Sequence, residues 1–218
     1  MLNKNKNITK PKKNCSLCPR LNSYRNSNIN HNPNWHNAPV QSFGKLESEL
    51  LIVGLAPGLK GANRTGRPFT GDYAGDLLYS TLKYYKLAKG KYCPKNNDNL
   101  LLINTRITNS VRCVPPKNKP NIREKENCRK FLISEINNMK NLKIILSLGK
   151  IAHEETIKVF NLTLSKFKFK HGNIHYLNEN IKLYNSYHCS RYNTQTKKLT
   201  TKMFFQVINK IKNDLKIL

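Results

Sequence analysis

No stretch of this sequence stays apolar long enough to cross a bilayer, which excludes a spanning protein. Residues 1–13 are basic and polar and lack the apolar core of a secretory signal, so the chain is expected to be intracellular. Internal repeats are absent. Neither G-x-x-x-x-G-K-[ST] nor G-x-G-x-x-G occurs, which counts against the common nucleotide-binding folds. Acidic residues are scarce: 12 Asp and Glu stand against 39 Lys and Arg, a formal charge of +27. Such an excess attracts polyanions, and nucleic acid is the commonest of these in a cell. Only nine of the 39 cations are Arg, however, and a Lys and Asn bias also arises from codon usage in an AT-rich genome. Charge therefore suggests a partner and leaves the job open. The 218 residues suffice for one well-buried domain, and the chain is read as such throughout.

Residues 1–39 are rich in Asn, Lys and Ser and poor in aliphatics, and read as an irregular arm. The aliphatic run Leu50-Leu51-Ile52-Val53 reads as a buried strand of a parallel sheet that ends in a tight Gly-Leu-Ala-Pro-Gly loop. A helix is expected over about 75–87, then a strand at 100–103 or continuing to Val111, and a helix over about 122–140. A strand at 144–148, a helix from near Ile151, a strand at 182–187 and an amphipathic helix over about 200–216 complete the pattern. This alternation predicts a three-layer α/β/α sandwich around a parallel four-stranded sheet. Ligands of such sheets bind beyond the carboxyl ends of the strands, so chemistry is expected after Val53, Val111 and Tyr187.

The loop from Gly54 to Asp72 holds Gly54, Gly58, Gly61, Gly66 and Gly71, a backbone able to pass close to a ligand. Phe69 within it is either a core residue or an aromatic exposed at the sheet mouth, where it could stack on a nucleobase. Asp72 could cap the following helix or could orient water and stabilise a developing positive charge. Asn109 carries an amide that donates and accepts, as the edge of a nucleobase requires, although in isolation it would suit a turn. His188 follows the last expected strand. Cys15 and Cys18 form a C-x2-C pair, with Cys113 and Cys128 further on. Grouped cysteines in a reducing compartment suggest a metal site, and four thiolates hold zinc or an iron–sulfur cluster. Spacing alone leans to zinc. Cys93 and Cys189 are left over and expected to be free.

The run GLAPGLKGANRTGRPFTGDYAG resembles the first motif of the family 5 (type b) uracil-DNA glycosylases. Asn109-Ser110-Val111-Arg112-Cys113-Val114-Pro115-Pro116 is similar to their second motif. His188-Cys189-Ser190-Arg191-Tyr192-Asn193-Thr194 resembles their third, usually His-Pro-Ser-Arg-Gln-Asn-Thr, with Cys189 and Tyr192 as departures. The missing proline predicts a less stiff loop. Leu55 stands where the related family 4 enzymes carry Glu.

The resemblance implies the uracil-DNA glycosylase fold, with uracil and other deaminated bases such as hypoxanthine flipped from DNA and hydrolysed off. It implies catalysis by Asp72, Asn109 and His188, and a base pocket of Leu55, Phe69, Asn109 and His188. DNA contacts are expected from Lys60, Arg64, Arg67, Ser190, Arg191, Asn193 and Lys197. A [4Fe–4S] cluster on Cys15, Cys18, Cys113 and Cys128 follows from the resemblance, with a structural role. No Lys is placed as a nucleophile, which predicts base removal without strand cleavage. A monomer in the cytoplasm, at the nucleoid and without a membrane partner, is the expectation. Rival readings are a strict family 4 uracil enzyme, a non-catalytic iron–sulfur binder of nucleic acid, and a zinc-binding RNA protein.

Overall fold

The computed structural model describes residues 8–216, so the first seven residues of the expected arm lie outside it. The remainder of the arm is not irregular throughout. Pro19–His31 form helix α1, with Pro at its first turn and only Leu21, Arg25 and Asn28 buried. Its polar face gives no helical periodicity, which is why composition alone reads it as loop.

The main sheet is built from β1 (Leu50–Gly54), β4 (Thr105–Asn109), β5 (Ile144–Leu148), β6 (Ile174–Tyr176) and β7 (Lys182–Ser186), in the order β4-β1-β5-β7-β6. The first four in that order are parallel. The expected four-stranded sheet thus gains a fifth strand, since β6 pairs antiparallel with β7 at the edge. β6 has three residues, two of them exposed, and so lacks the aliphatic run that marks the others. Leu50 to Val53 and Ile144 to Leu148 are buried on both faces, as central parallel strands require.

The connections are α2 (Ala62–Thr65), α3 (Tyr73–Tyr84), α4 (Ile122–Asn138), α5 (Lys150–Val159), α6 (Arg191–Gln195) and α7 (Thr201–Asp214). A small hairpin of β2 (Ala88–Lys89) and β3 (Leu101–Leu102) completes the elements. On one face Leu50, Ile52 and Leu146 pack with Leu78 and Leu82 of α3 and Phe204 and Ile208 of α7. On the other, Leu51, Val53 and Ile145 pack with Leu132 of α4 and Ile157 of α5. Helices therefore cover both faces, giving the three-layer sandwich.

The strand expected from Leu100 onward is broken at Asn104, whose backbone is left-handed with φ 47°. Its side chain accepts from Glu49 N at 2.8 Å and donates to Glu49 Oε2 at 2.9 Å, fixing the entrance to β4 beside β1. Gly54 then lies opposite Asn109 in the register, so the loops after both strands open at one level.

Candidate active site

Beyond the carboxyl ends of β1, β4 and β7 lies a cleft of about 510 Å³, in the range of small-molecule sites. Leu55, Phe69, Asp72, Asn109 and His188 all line it, although 133 positions separate the first from the last. Glycine permits the convergence. A Cβ on Gly54 would stand 2.4 Å from Asn109 Oδ1 and 2.5 Å from Phe69 Cζ, inside any tolerable contact. Phe69 itself takes a left-handed backbone, φ 51°. Its ring is buried in the core, the first of the two alternatives, yet it also lines the cleft and lies near-parallel to the His188 ring at 5.7 Å.

Asp72 takes the capping role and also lines the cleft. Its Oδ1 accepts from Gly75 N at 3.2 Å as the N-cap of α3. The other oxygen lies against Gly58 and Gly61, where a Cβ would stand 3.2 Å and 2.4 Å away. Burial pushes the carboxyl pKa up, opposed by the helix N–H groups of Gly75 and Ala74. A methyl on Gly61 would displace the carboxylate. Gly61→Ala is therefore expected to lower kcat by about 100-fold, the cost of roughly an ångström of misplacement, with circular dichroism unchanged. Wild-type kcat in that variant would contradict the assignment of Asp72.

Asn109 is buried at the end of β4, and among the described residues its amide has no hydrogen-bond partner; it lines the cleft. The strand behind it is braced by charge. Glu135 accepts from Arg112 Nη2 at 2.9 Å and Ser42 Oγ at 2.8 Å and pairs with Arg106, while Ser42 also meets Thr108 Oγ1 at 2.9 Å. Burial would raise the Glu135 pKa, but the two guanidiniums hold it below its ordinary value.

His188 follows β7 with burial holding its pKa down at about 4, so the ring is a neutral imidazole at physiological pH. The loop around it is well tied. Asn193 Nδ2 donates to His188 O at 2.9 Å, and Ser190 caps α6. Cys189 is fully buried and its thiol donates to Ala74 O at 3.4 Å. The departure from proline thus places a core-packed side chain that fastens this loop to α3, an anchor with no local signal.

The expected DNA contacts divide. Lys60, Ser190 and Arg191 line the cleft, and Arg191 lies over the Tyr73 ring at 5.7 Å. Lys197 is exposed beyond α6 and Arg64 is partly buried; neither lines the cleft. Asn193 is spent on its brace to His188. Arg67 is corrected outright: it is buried, bonded to both oxygens of Asp98 at 2.7 Å and ringed by Phe43, Tyr79 and Tyr92. A guanidinium so enclosed cannot reach a phosphate. The Arg67 pair depresses the Asp98 pKa to about 2. Arg67→Ala would leave Asp98 buried and unpaired, and thermal unfolding should read a loss of about 3–5 kcal/mol. A variant with full stability but weakened DNA binding would reverse this correction. Tyr73 and Asn118 also line the cleft and were not foreseen, although Tyr73 adjoins Asp72 within the first motif.

The four cysteines meet in a second place. Cys15, Cys18, Cys113 and Cys128 line one small cavity between the arm, α1, the loop after β4, and α4. Three of the sulfurs accept N–H donors: Arg25 Nη1 to Cys113 at 3.6 Å, Arg112 N to Cys128 at 3.3 Å and Asn127 Nδ2 to Cys18 at 3.7 Å. Such donors are typical around metal-bound thiolates. Among the described residues, no three Cys, His, Asp or Glu side chains are grouped tightly enough to hold a single metal ion. Cys93 and Cys189 lie outside the cavity, and Cys189 is sealed in the core.

The uracil DNA glycosylase superfamily model matches residues 41–212. A type-5 uracil-DNA glycosylase of Thermus thermophilus is 40% identical over 205 residues, covering 91% of this chain and 92% of the relative. One of Pyrobaculum aerophilum is 34% identical, covering 92% and 89%. A type-4 uracil-DNA glycosylase of the same organism is 32% identical over 155 residues, covering 71% and 65%.

Proposed function

The chain belongs to the uracil DNA glycosylase superfamily, and from that premise we infer that it removes uracil from DNA in base-excision repair. The observation that carries the inference is the convergence of Asp72, Asn109, His188 and Phe69 on one cleft at the strand ends. Uracil within a duplex is out of reach, so it is rotated from the stack into this cleft. There it stacks on Phe69 and bonds to the Asn109 amide. His188, neutral, donates to a uracil carbonyl oxygen as negative charge grows on the departing base. The bond between C1′ and the base nitrogen breaks with its electron pair going to the base, leaving an oxocarbenium-like sugar. Asp72 stabilises that cation and orients the attacking water. The water oxygen joins C1′, and its proton ends on the released uracil. The apolar Leu55 wall leaves recognition to few polar contacts, so hypoxanthine and other deaminated bases are accepted as well.

Lys60 and Arg191 grip the phosphates around the flipped nucleotide, with Lys197 and Arg64 further out, giving affinity that falls with salt. Cys15, Cys18, Cys113 and Cys128 hold a [4Fe–4S] cluster. The support is that the four thiols line one cavity and that three of the sulfurs accept N–H donors. When bound, the cluster serves as a structural pin between the arm, α1 and α4. The chain works as a single domain and a monomer, in the cytoplasm at the nucleoid.

The test is a panel of duplexes carrying uracil, hypoxanthine or thymine, with alkaline cleavage after incubation and borohydride in a parallel reaction. Alkali-dependent breaks at uracil and hypoxanthine, with no trapped adduct, are expected. Breaks at uracil alone would support the strict family 4 reading, and a trapped protein–DNA adduct would overturn the monofunctional mechanism.

A further inference from the structure

A second groove, of about 640 Å³, is lined by residues of the arm, α1 and the segment that follows it. Lys13, Asn14, Asn26, Trp35 and His36 are among its lining residues, and none of the residues lining it is acidic. Its wall is fixed to α2 by the backbone: Asn37 N donates to Asn63 O and His36 N to Arg64 O, each at 3.0 Å. Asn63 Nδ2 also donates to Asn37 Oδ1 at 2.9 Å. Lys60 and Ala62, at the start of the same segment, line the cleft. The α2 segment therefore touches both the cleft and the groove wall. A helix is about 10 Å across with its side chains, which is roughly three base-pair rises of 3.4 Å. DNA running on from a base flipped into the cleft would meet the groove within a few nucleotides.

The lining suits a nucleic acid strand. Lys13 is exposed and offers its ammonium, and Asn14 and Asn26 are exposed amides without a hydrogen-bond partner among the described residues. Trp35 is half-buried and contributes an indole to the wall. Arg25 is not available, since it is bound to Cys15 O at 3.0 Å and directed at Cys113. A cation, free amides and an aromatic without a carboxylate make up the chemistry that holds phosphate and stacks on a nucleotide. We propose that this groove is a second DNA contact, taking the strand that flanks the flipped base. Lys13 pairs with a phosphate and Trp35 stacks on the neighbouring nucleotide. The assignment rests on the glycosylase reading for its substrate, but not on any residue of the catalytic cleft.

The experiment uses the full chain and labelled duplexes with a central uracil, lengthened one pair at a time on either side, with binding read by anisotropy. Wild-type affinity should step up when one flank reaches the groove. Lys13→Glu and Trp35→Ala should each lose that step, by about tenfold, the size of one stacking contact. The salt slope for Lys13→Glu should fall by about one phosphate contact. In both variants kcat on the shortest cleaved duplex should stay at the wild-type value. Wild-type binding of the longest duplex by both variants at every salt concentration would overturn the proposal, even with uracil release intact. Failure of the wild-type chain to release uracil would instead sink the glycosylase reading, and the affinity step would still decide for or against the groove. Lys13 is exposed, so its variant keeps the test open if Trp35→Ala does not fold.

Discussion

Asp72→Asn is expected to lower kcat/KM for uracil excision by about 1,000-fold, within the range for a positioned acid–base group, with the fold intact. Asparagine is nearly isosteric and still offers an oxygen to Gly75 N, so the cap of α3 survives. What it loses is the charge proposed to stabilise the oxocarbenium-like sugar. Asp72→Ala loses cap and charge together and should show the same rate defect plus about 1 kcal/mol of lost stability. Comparing the two variants by kinetics and thermal melting separates catalysis from capping. The pH profile gives an independent reading. Burial raises the Asp72 pKa, so the acid limb of kcat/KM should begin above the pH of an ordinary aspartate. His188 titrates at about 4 and should add no limb near neutrality. Its linkage to folding has the opposite consequence for stability. Between pH 6.5 and about 4 the unfolded chain holds more protons at this residue than the folded one, so His188 makes stability fall as pH drops through that window.

Cys113→Ser is expected to cost most of the folding stability of the arm and α1, because a structural metal site supplies on the order of 10 kcal/mol of folding free energy. Cys113 lies between elements that otherwise share few apolar contacts: Leu21 of α1, Val111 after β4 and Phe131 of α4 form only a small cluster with the cysteines. Without the pin, α1 has a polar sequence and three buried residues to hold it. Metal analysis should find four irons per chain in the wild type and fewer in the variant. Hydrogen exchange should show α1 opened and β1 and β5 still protected. One zinc per chain would replace the cluster with a single ion, and unchanged protection of α1 in metal-free protein would remove the structural role altogether.

The sequence carried the central sheet and the catalytic loops because their signals are local. Leu50 to Val53 and Ile144 to Leu146 are continuous aliphatic runs, of the kind a strand buried on both faces uses. Asn109 and His188 sit at strand ends and Asp72 closes the loop after β1, where an open α/β sheet collects its ligands, and the three line one cleft. Features that depend on distant partners were illegible. Arg67 looked like a phosphate ligand because nothing near it in sequence announces Asp98, 31 positions away. The α1 helix is held by tertiary contacts rather than by an apolar stripe, so its periodicity is silent. Cys189 read as a loosened loop, but its burial against Ala74 depends on where α3 ends up. Asn104 broke an expected strand through one left-handed residue whose reason, Glu49, lies across the sheet.

The most direct measurement of the central claim is release of free base from a duplex carrying one uracil, followed by chromatography, with Asp72→Asn beside the wild type. The account predicts stoichiometric uracil from the wild type, a strand that stays whole until alkali is added, and release slowed by about 1,000-fold in Asp72→Asn. No free uracil from the wild type, or equal release from both proteins, would contradict it.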